Sequence, residues 1–326
     1  MCRTANGWDV NGLGQLKDGR GNICPVTIIM PTLAMMAKES GAENIVDEFM
    51  FLLEAKIFEA KDMLLERYHW ICSQSPDSAK FMYENGVMAG YIPEEGIQSA
   101  LRHGTLVIGS LGLAETLQIL IGCDHTTPEG MKLAKHIYKK FNELCAMFKN
   151  ELHLNFGVYL TPAENLCHTA MKKFRDKYGV IENVSDKEYF TNSTHVPVWK
   201  AMSPFEKIDI ESELSGYSNA GCITYVELDS GIKNNIDALE TLVNYAMDKD
   251  LPYFAINVPN DTCLSCGYCD EFNDKCPECG SGDIQQLRRV TGYLTGSYTT
   301  AFNKGKIQET QMRVKHKGVY DGPTRD

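Results

Sequence analysis

Two Cys-x-x-Cys pairs, Cys263 with Cys266 and Cys276 with Cys279, constrain the far end of this chain more tightly than any other feature. The nine residues between the pairs let both close on one ion, and four thiolates at such spacing are the donor set of tetrahedral structural zinc sites. Gly267 and Gly280 follow the second cysteine of each pair, where a tight turn must aim backbone amides at sulfur. A zinc ion held in this way supplies on the order of 10 kcal/mol to local folding. A thiol redox relay, an iron-sulfur cluster and a nucleic-acid-binding ribbon are the competing readings. Cys269 forms a third Cys-x-x-Cys pair with Cys266, so one cysteine is a spare if four bind metal. Asp261, Asp270, Glu271, Asp274 and Glu278 make the segment acidic, which disfavours nucleic acid.

The opening residues, Met1-Cys2-Arg3-Thr4-Ala5-Asn6-Gly7-Trp8, lack an apolar signal core. The most apolar run, residues 105–120, is interrupted by Gly109, Gly112 and Glu115 and falls short of a membrane span. A cytoplasmic location is therefore expected, with no membrane partner. In that compartment the chain's 12 cysteines are thiols, metal ligands or redox groups rather than structural disulfides. A net charge of −11, from 43 acidic against 32 basic residues, argues against broad nucleic-acid binding. It leaves room for a nucleotide pocket, because a helix N-terminus supplies local donors to a phosphate. With 326 residues and 43 % hydrophobic content, the chain can bury one large core or two ordinary ones.

Ahead of the cysteines, the apolar pattern alternates between strand and helix. A glycine-rich loop (Gly12, Gly14, Gly19, Gly21) precedes a buried strand over residues 23–31. Ile45, Phe49, Leu52, Leu53, Ala60 and Leu64 recur at helical spacing and predict one long helix over 42–72. A strand over 105–109, a turn at Ser110-Leu111-Gly112 and a helix over 113–121 follow, then a helix over 128–149 and a strand over 155–160. Thr161 suits an N-cap and Pro162 a first helical position. A further cycle runs through residues 189–198, a strand over 222–228, a helix over 235–249 and a strand over 253–258. This order predicts an α/β fold with largely parallel strands. The change to cysteine, glycine and polar residues at Pro259 predicts a division into residues 1–258 and a small module over 259–326. Ser110 lacks the setting of a nucleophile elbow. Cys72, Cys123, Cys145 and Cys167 read as small buried residues.

Close behind the cysteines stands Arg288-Arg289-Val290-Thr291-Gly292-Tyr293-Leu294. A lone glycine there is a turn residue. Glycine is also the residue whose Cα, on losing hydrogen, becomes planar without a side-chain clash and shares its spin between amide nitrogen and carbonyl. Taken with Phe302-Asn303-Lys304-Gly305-Lys306, Glu309 and Arg313-Val314-Lys315-His316, the stretch resembles the glycyl-radical end of class III (anaerobic) ribonucleotide reductases. Cys2-Arg3 resembles that family's finger-loop cysteine, and Gly19-Arg20-Gly21-Asn22 the element behind it. Thr161-Pro162-Ala163-Glu164 and His195-Val196-Pro197-Val198 also match, so the resemblance runs from Cys2 to His316. Taken alone, His195 reads as a core histidine.

The resemblance implies half of a ten-stranded α/β barrel of the glycyl-radical type, followed by a small zinc-binding module. It implies reduction of ribonucleoside triphosphates to 2′-deoxyribonucleoside triphosphates by radical chemistry. Gly292 would store the radical and Cys2 would become the thiyl that takes the ribose 3′ hydrogen. Asn22 would line the substrate site, Cys24 would be a redox cysteine of a thiol-dependent branch, and Glu164 would have a polar active-site role. Backbone amides of Thr161-Pro162-Ala163-Glu164 would contact phosphate, and Cys263, Cys266, Cys276 and Cys279 would hold zinc. The implied partners are a radical S-adenosylmethionine activating enzyme with an iron-sulfur cluster, formate or a dithiol as reductant, and a second copy in a homodimer. The family's first half-barrel, second redox cysteine and nucleotide regulatory regions, ATP-binding among them, would lie ahead of residue 1. A truncated sequence, a separate polypeptide supplying the N-terminal half, or a decayed remnant would each account for this. A half barrel leaves strand edges and apolar faces open, so the chain alone is expected to be poorly soluble or inactive. The alternative reading is a non-catalytic zinc-stabilised α/β fragment or binding module in which Gly292 is only a turn.

Overall fold

The computed structural model describes residues 4–272, 274–290, 293–295 and 298–317. They fall into two compact units, one of the residues up to 161 together with 214–222, the other of residues 162–213 together with those from 223 on.

In the first unit, β1 (Asn22–Ile29), β2 (Thr105–Leu111) and β3 (Asn155–Tyr159) form a parallel sheet in that order. β2 is buried along its whole length, as a central parallel strand covered on both faces must be. The strands are joined by α1 (Met30–Glu39), α2 (Ile45–Cys72), α3 (Lys80–Glu84), α4 (Ile97–Leu101), α5 (Leu113–Ile121) and α6 (Pro128–Leu152). The Asn44 side chain caps α2 by accepting from the Val46 and Asp47 amides, and Asp47 and Glu48 suit the positive end of the helix dipole. Phe49, Leu53, Ile57, Ala60 and Leu64 form its buried stripe, each large side chain contributing about 1.5–3 kcal/mol on burial. Thr127 caps α6 through the Gly130 amide, with Pro128 at a first-turn position that needs no donor.

Side chains alternate across a sheet, so register separates its two faces. The face carrying Ser110 and Phe156 turns to α6: the Ser110 and Tyr138 hydroxyls are 2.6 Å apart, and Phe156 meets Phe148 edge-on. The opposite face carries Asn22, Thr105, Val107, Gly109, Gly157 and Tyr159, paired across the strands. There Val107 and Tyr159 pack on Ala220, and residues 220–221 run beside β3 through Ala220 N–H to Val158 O and Leu160 N–H to Gly221 O. A Cβ at Gly109 would lie 1.9 Å from the Thr161 hydroxyl oxygen, so only glycine lets residue 161 cross at this height.

The expected strand over 23–31 ends earlier. Pro31 sits in the first turn of α1, where its missing N–H breaks nothing, and the chain turns helical at Met30. β1 is also interrupted by a bulge between Ile23 and Val26, where Cys24 has a φ of 43°.

In the second unit, α7 (Glu164–Tyr178), α8 (Pro204–Ser215), β4 (Thr224–Glu227), α9 (Ile236–Asp248) and β5 (Phe254–Asn257) follow in order, and β4 and β5 pair in parallel. Ile208, Val226, Leu228, Leu242 and Ala246 form its core. The five parallel strands of the described residues are half the number in a ten-stranded barrel. The expected cap at Thr161 is not formed. α7 begins at Glu164 with Ala163 in the cap position and no side-chain cap, because the Thr161 hydroxyl is 3.0 Å from that of Thr27 instead. From residue 260 the pairing becomes antiparallel: β6 (Asn260–Cys263), β7 (Cys269–Asp270), β8 (Ile284–Val290) and β9 (Tyr293–Thr295) lie in the order β7-β6-β8-β9. α10 (Tyr298–Ala301) and α11 (Lys304–Met312) close the described chain. No helix among the described residues is long and apolar enough to cross a membrane.

Candidate functional site

The two cysteine pairs fold into the same turn twice. The Gly267 amide donates to Cys263 O at 2.8 Å and the Gly280 amide to Cys276 O at 2.9 Å. The Cys263 and Cys276 amides donate to Tyr268 O and Ser281 O, both at 2.9 Å. Gly267 and Gly280 have φ values of 79° and 72°, the left-handed region that side chains disfavour. The four Sγ atoms lie within 4.8 Å of one another, with Cys263–Cys279 and Cys266–Cys276 both at 3.5 Å. Zinc–sulfur bonds of about 2.3 Å set tetrahedral edges of about 3.8 Å, so these thiols fit the ion's spacing. Tyr268, Phe272 and Ile284 pack on the buried Cys263 and Cys276.

Burial opposes charge on Cys263, but the Cys266 and Ser265 amides and neighbouring thiols outweigh it and hold the thiol at about 6. The Tyr268 amide favours the Cys266 thiolate, yet Cys279, Cys276 and Cys263 push that thiol up to about 12. Thiolates this close repel one another, so the cluster needs a cation before it can carry several negative charges. Cys269 stands outside the cluster, exposed, with its sulfur 3.3 Å from the Thr262 hydroxyl. Three of the module's acidic residues are paired: Asp261 with Arg288, Glu271 with Lys315, and Asp270 with Lys233.

Of the other expected site residues, Cys2 and Gly292 lie outside the described residues. Asn22 is buried at the start of β1, where its Nδ2 donates to Ala220 O at 2.9 Å and its Oδ1 has no partner among the described residues. A buried acceptor without a donor is costly, and a ligand hydroxyl on this face would relieve it. Cys24 is half-buried in the bulge; burial raises its thiol against the pull of Arg67 on α2. That neighbour lies on a helix packed against β1.

Glu164 opens α7 at a φ of 24°, a strained setting for a residue with a side chain. Pro162 has no N–H to offer a phosphate, and the Ala163 amide donates to Asn192 Oδ1 at 3.0 Å. The other first-turn N–H groups of α7 belong to residues 164–166. His195 faces Glu211, with Nδ1 3.2 Å from the carboxylate. Cys145 and Cys167 are buried as expected, and burial pushes the Cys145 thiol up to about 12. Cys72 and Cys123 are only half-buried: Cys72 ends α2 and faces the Tyr68 hydroxyl, and Cys123 lies just beyond α5 and faces that of Thr127.

A buried charge network in the second unit ties down the chain before and after residues 291–292. Lys306 is 1 % exposed, with its Nζ 2.8 Å from Glu309. Arg313 lies 3.4 Å from both Glu309 and Glu227, and its guanidinium also donates to Arg289 O. His316 pairs with the Glu227 backbone on both sides, its N–H donating to Glu227 O at 2.8 Å and its Nδ1 accepting from Glu227 N–H at 2.9 Å. Sequence reasoning marked Lys306, Glu309, Arg313 and His316 by resemblance but missed Glu227. The three-and-four spacing of 306, 309 and 313 was the available signal for one helix face.

A sequence model of one protein family, anaerobic ribonucleoside-triphosphate reductase, matches residues 1–316. The anaerobic ribonucleoside-triphosphate reductase of Escherichia coli (strain K12) is 31% identical over 97% of this chain and 46% of its own length. That of Enterobacteria phage T4 is 31% identical over 95% of this chain and 51% of its own length. The chain thus spans about half the length of the curated relatives it matches. Among solved structures, an anaerobic ribonucleotide reductase shares the fold with a TM-score of 0.74 at 22% identity, covering 92% of this chain and 46% of that one. The Thermotoga maritima anaerobic ribonucleotide reductase in complex with dATP and CTP gives 0.67 at 20% identity, covering 94% and 47%.

Proposed function

This chain belongs to the anaerobic ribonucleoside-triphosphate reductase family, and from that premise we propose that it carries the radical glycine, the thiyl cysteine and the zinc module of such an enzyme. The match over residues 1–316, which takes in both Cys2 and Gly292, carries the reading. The reaction is reduction of a ribonucleoside triphosphate to its 2′-deoxy form. The Gly292 radical takes the hydrogen atom of the Cys2 thiol, and the resulting thiyl takes the ribose 3′ hydrogen. The 2′ hydroxyl leaves with a proton as water. Two electrons come from formate, which ends as carbon dioxide, or from a dithiol, which ends as a disulfide. Return of a hydrogen atom from Cys2 to C3′ regenerates the thiyl.

Asn22 binds the ribose hydroxyls in this scheme, a role supported by its buried, unpartnered Oδ1. Glu164 supplies a polar group to the active site, and the amides of residues 164–166 hold phosphate. Cys24 serves a dithiol reductant. Cys263, Cys266, Cys276 and Cys279 hold zinc, which organises the module as a structural ion. An activating enzyme using S-adenosylmethionine and an iron-sulfur cluster installs the radical, the complete enzyme is a homodimer, and it works in the cytoplasm.

The test is anaerobic reduction of a labelled ribonucleoside triphosphate by the activated complete enzyme. Gly292→Ala and Cys2→Ser should each abolish product while zinc content stays unchanged. Product formation by either variant at the wild-type rate would overturn the assignment.

A further inference from the structure

The loop ahead of β1 is built around a buried carboxylate that the chemistry above does not use. Asp9 is 1 % exposed, and its oxygens accept four hydrogen bonds: from Asn155 Nδ2 at 2.6 Å, His103 Nδ1 at 2.8 Å, the Leu13 amide at 2.9 Å and the Asn11 amide at 3.2 Å. Burial alone would raise its pKa, but these donors outweigh it and hold the carboxyl at about 2, so Asp9 is charged at neutral pH. Asn155 is the first residue of β3, and His103 stands two residues before β2. The carboxylate therefore fastens the loop to the amino ends of two neighbouring strands.

From Asp9 back toward the start of the chain, three backbone groups are engaged by residues outside the segment. Trp8 O accepts from Lys149 Nζ at 2.6 Å, and Gly7 O accepts from Arg20 Nη1 at 3.0 Å. Ala5 N–H donates to Ala220 O at 3.0 Å, and this same carbonyl accepts from Asn22 Nδ2 at 2.9 Å. Residues 5–9 are thus held between two anchors, the Asp9 carboxylate at the strand ends and the Ala220 carbonyl beside Asn22. Displacing one anchor moves the segment relative to Asn22.

We propose that Asp9 is a positioning residue: through Asn155 and His103 it fixes where the segment leading to Cys2 lies against the sheet face that carries Asn22. The inference rests on the roles of Cys2 and Asn22 proposed above. Asp9 touches neither substrate nor the reacting atoms, so its loss should spare radical storage at Gly292 and substrate affinity while slowing hydrogen transfer. A shift of about 1 Å at a reacting centre costs on the order of 100-fold in rate.

The experiment compares wild type, Asp9→Asn and Asn155→Ala in the complete, anaerobically activated enzyme, reading glycyl radical by EPR alongside kcat and KM for a ribonucleoside triphosphate. Asp9→Asn keeps the shape but turns one acceptor into a donor facing donors; Asn155→Ala keeps the carboxylate and removes one partner. The expected result is wild-type radical yield in both, a kcat lower by about 10- to 100-fold in Asp9→Asn and by less in Asn155→Ala, and KM within about twofold. Unchanged kcat in both variants overturns the inference, as does a fall in radical yield that matches the fall in kcat. If Asp9→Asn does not fold, the Asn155→Ala result decides on the same criteria. Absence of the radical in wild type overturns the underlying reading, and this inference with it.

Discussion

Acidification should release the C-terminal segment from β4 through one residue, His316. The residue is 8 % exposed, and its Nδ1 lies closer to Glu227 N–H, at 2.9 Å, than to Glu227 O, at 3.2 Å. That oxygen already accepts from the His316 amide, so Nδ1 is the unprotonated nitrogen and the ring is neutral. Burial is the main cause that lowers its pKa, from 6.5 to about 4; Lys207 adds to this, while the Glu227 backbone and Glu211 oppose it. The detached segment binds the proton more readily than the docked one, so docking weakens as pH falls below 6.5 and levels off below about 4. The lost stability is about 2 kcal/mol at pH 5 and about 3 kcal/mol in full, the first equal to about a 30-fold larger opening constant. Hydrogen–deuterium exchange of residues 225–228 and 313–317, corrected for intrinsic rates, reads this directly between pH 7 and pH 5. His316→Asn places an acceptor near the Nδ1 position without a titrating ring, and should flatten the dependence. Equal loss of protection in wild type and variant, or none in wild type, would refute the reasoning.

Other outcomes follow from the same geometry. Glu309→Gln leaves the Lys306 ammonium buried without the negative charge 2.8 Å away and should cost about 3–5 kcal/mol in urea unfolding, whereas Lys306→Met with Glu309→Leu should recover most of it. Metal analysis should give one zinc per chain, lost in Cys276→Ser and kept in Cys269→Ser, since only the former sulfur belongs to the cluster. Cys24→Ser should abolish turnover with a dithiol reductant; full turnover with every reductant would end its assignment as a redox cysteine.

Much of this was legible where one local rule dominates. The stripe from Phe49 to Leu64, the turn ending at Gly112 ahead of α5 and the helix expected over 128–149 each predict an element that forms. The metal ligands were legible because chelation needs few residues close together in sequence. Thr161 misled because its hydroxyl had two uses, and a partner 134 positions away prevailed over a local cap. α8 escaped notice because only part of it is apolar and its Ile208 packs on strands far along the chain. Asp9 was invisible inside a glycine-rich loop: His103 and Asn155, which give the carboxylate its purpose, come together with it only in the folded sheet.

The central claim is that Gly292 carries a radical. It is tested most directly by anaerobic EPR of the complete protein after treatment with its activating enzyme and S-adenosylmethionine, using chain labelled with deuterium at glycine Cα. The account predicts a doublet in unlabelled protein that collapses toward a single line on labelling and is missing from Gly292→Ala. A doublet that persists in Gly292→Ala, or no organic radical in any sample, would contradict it.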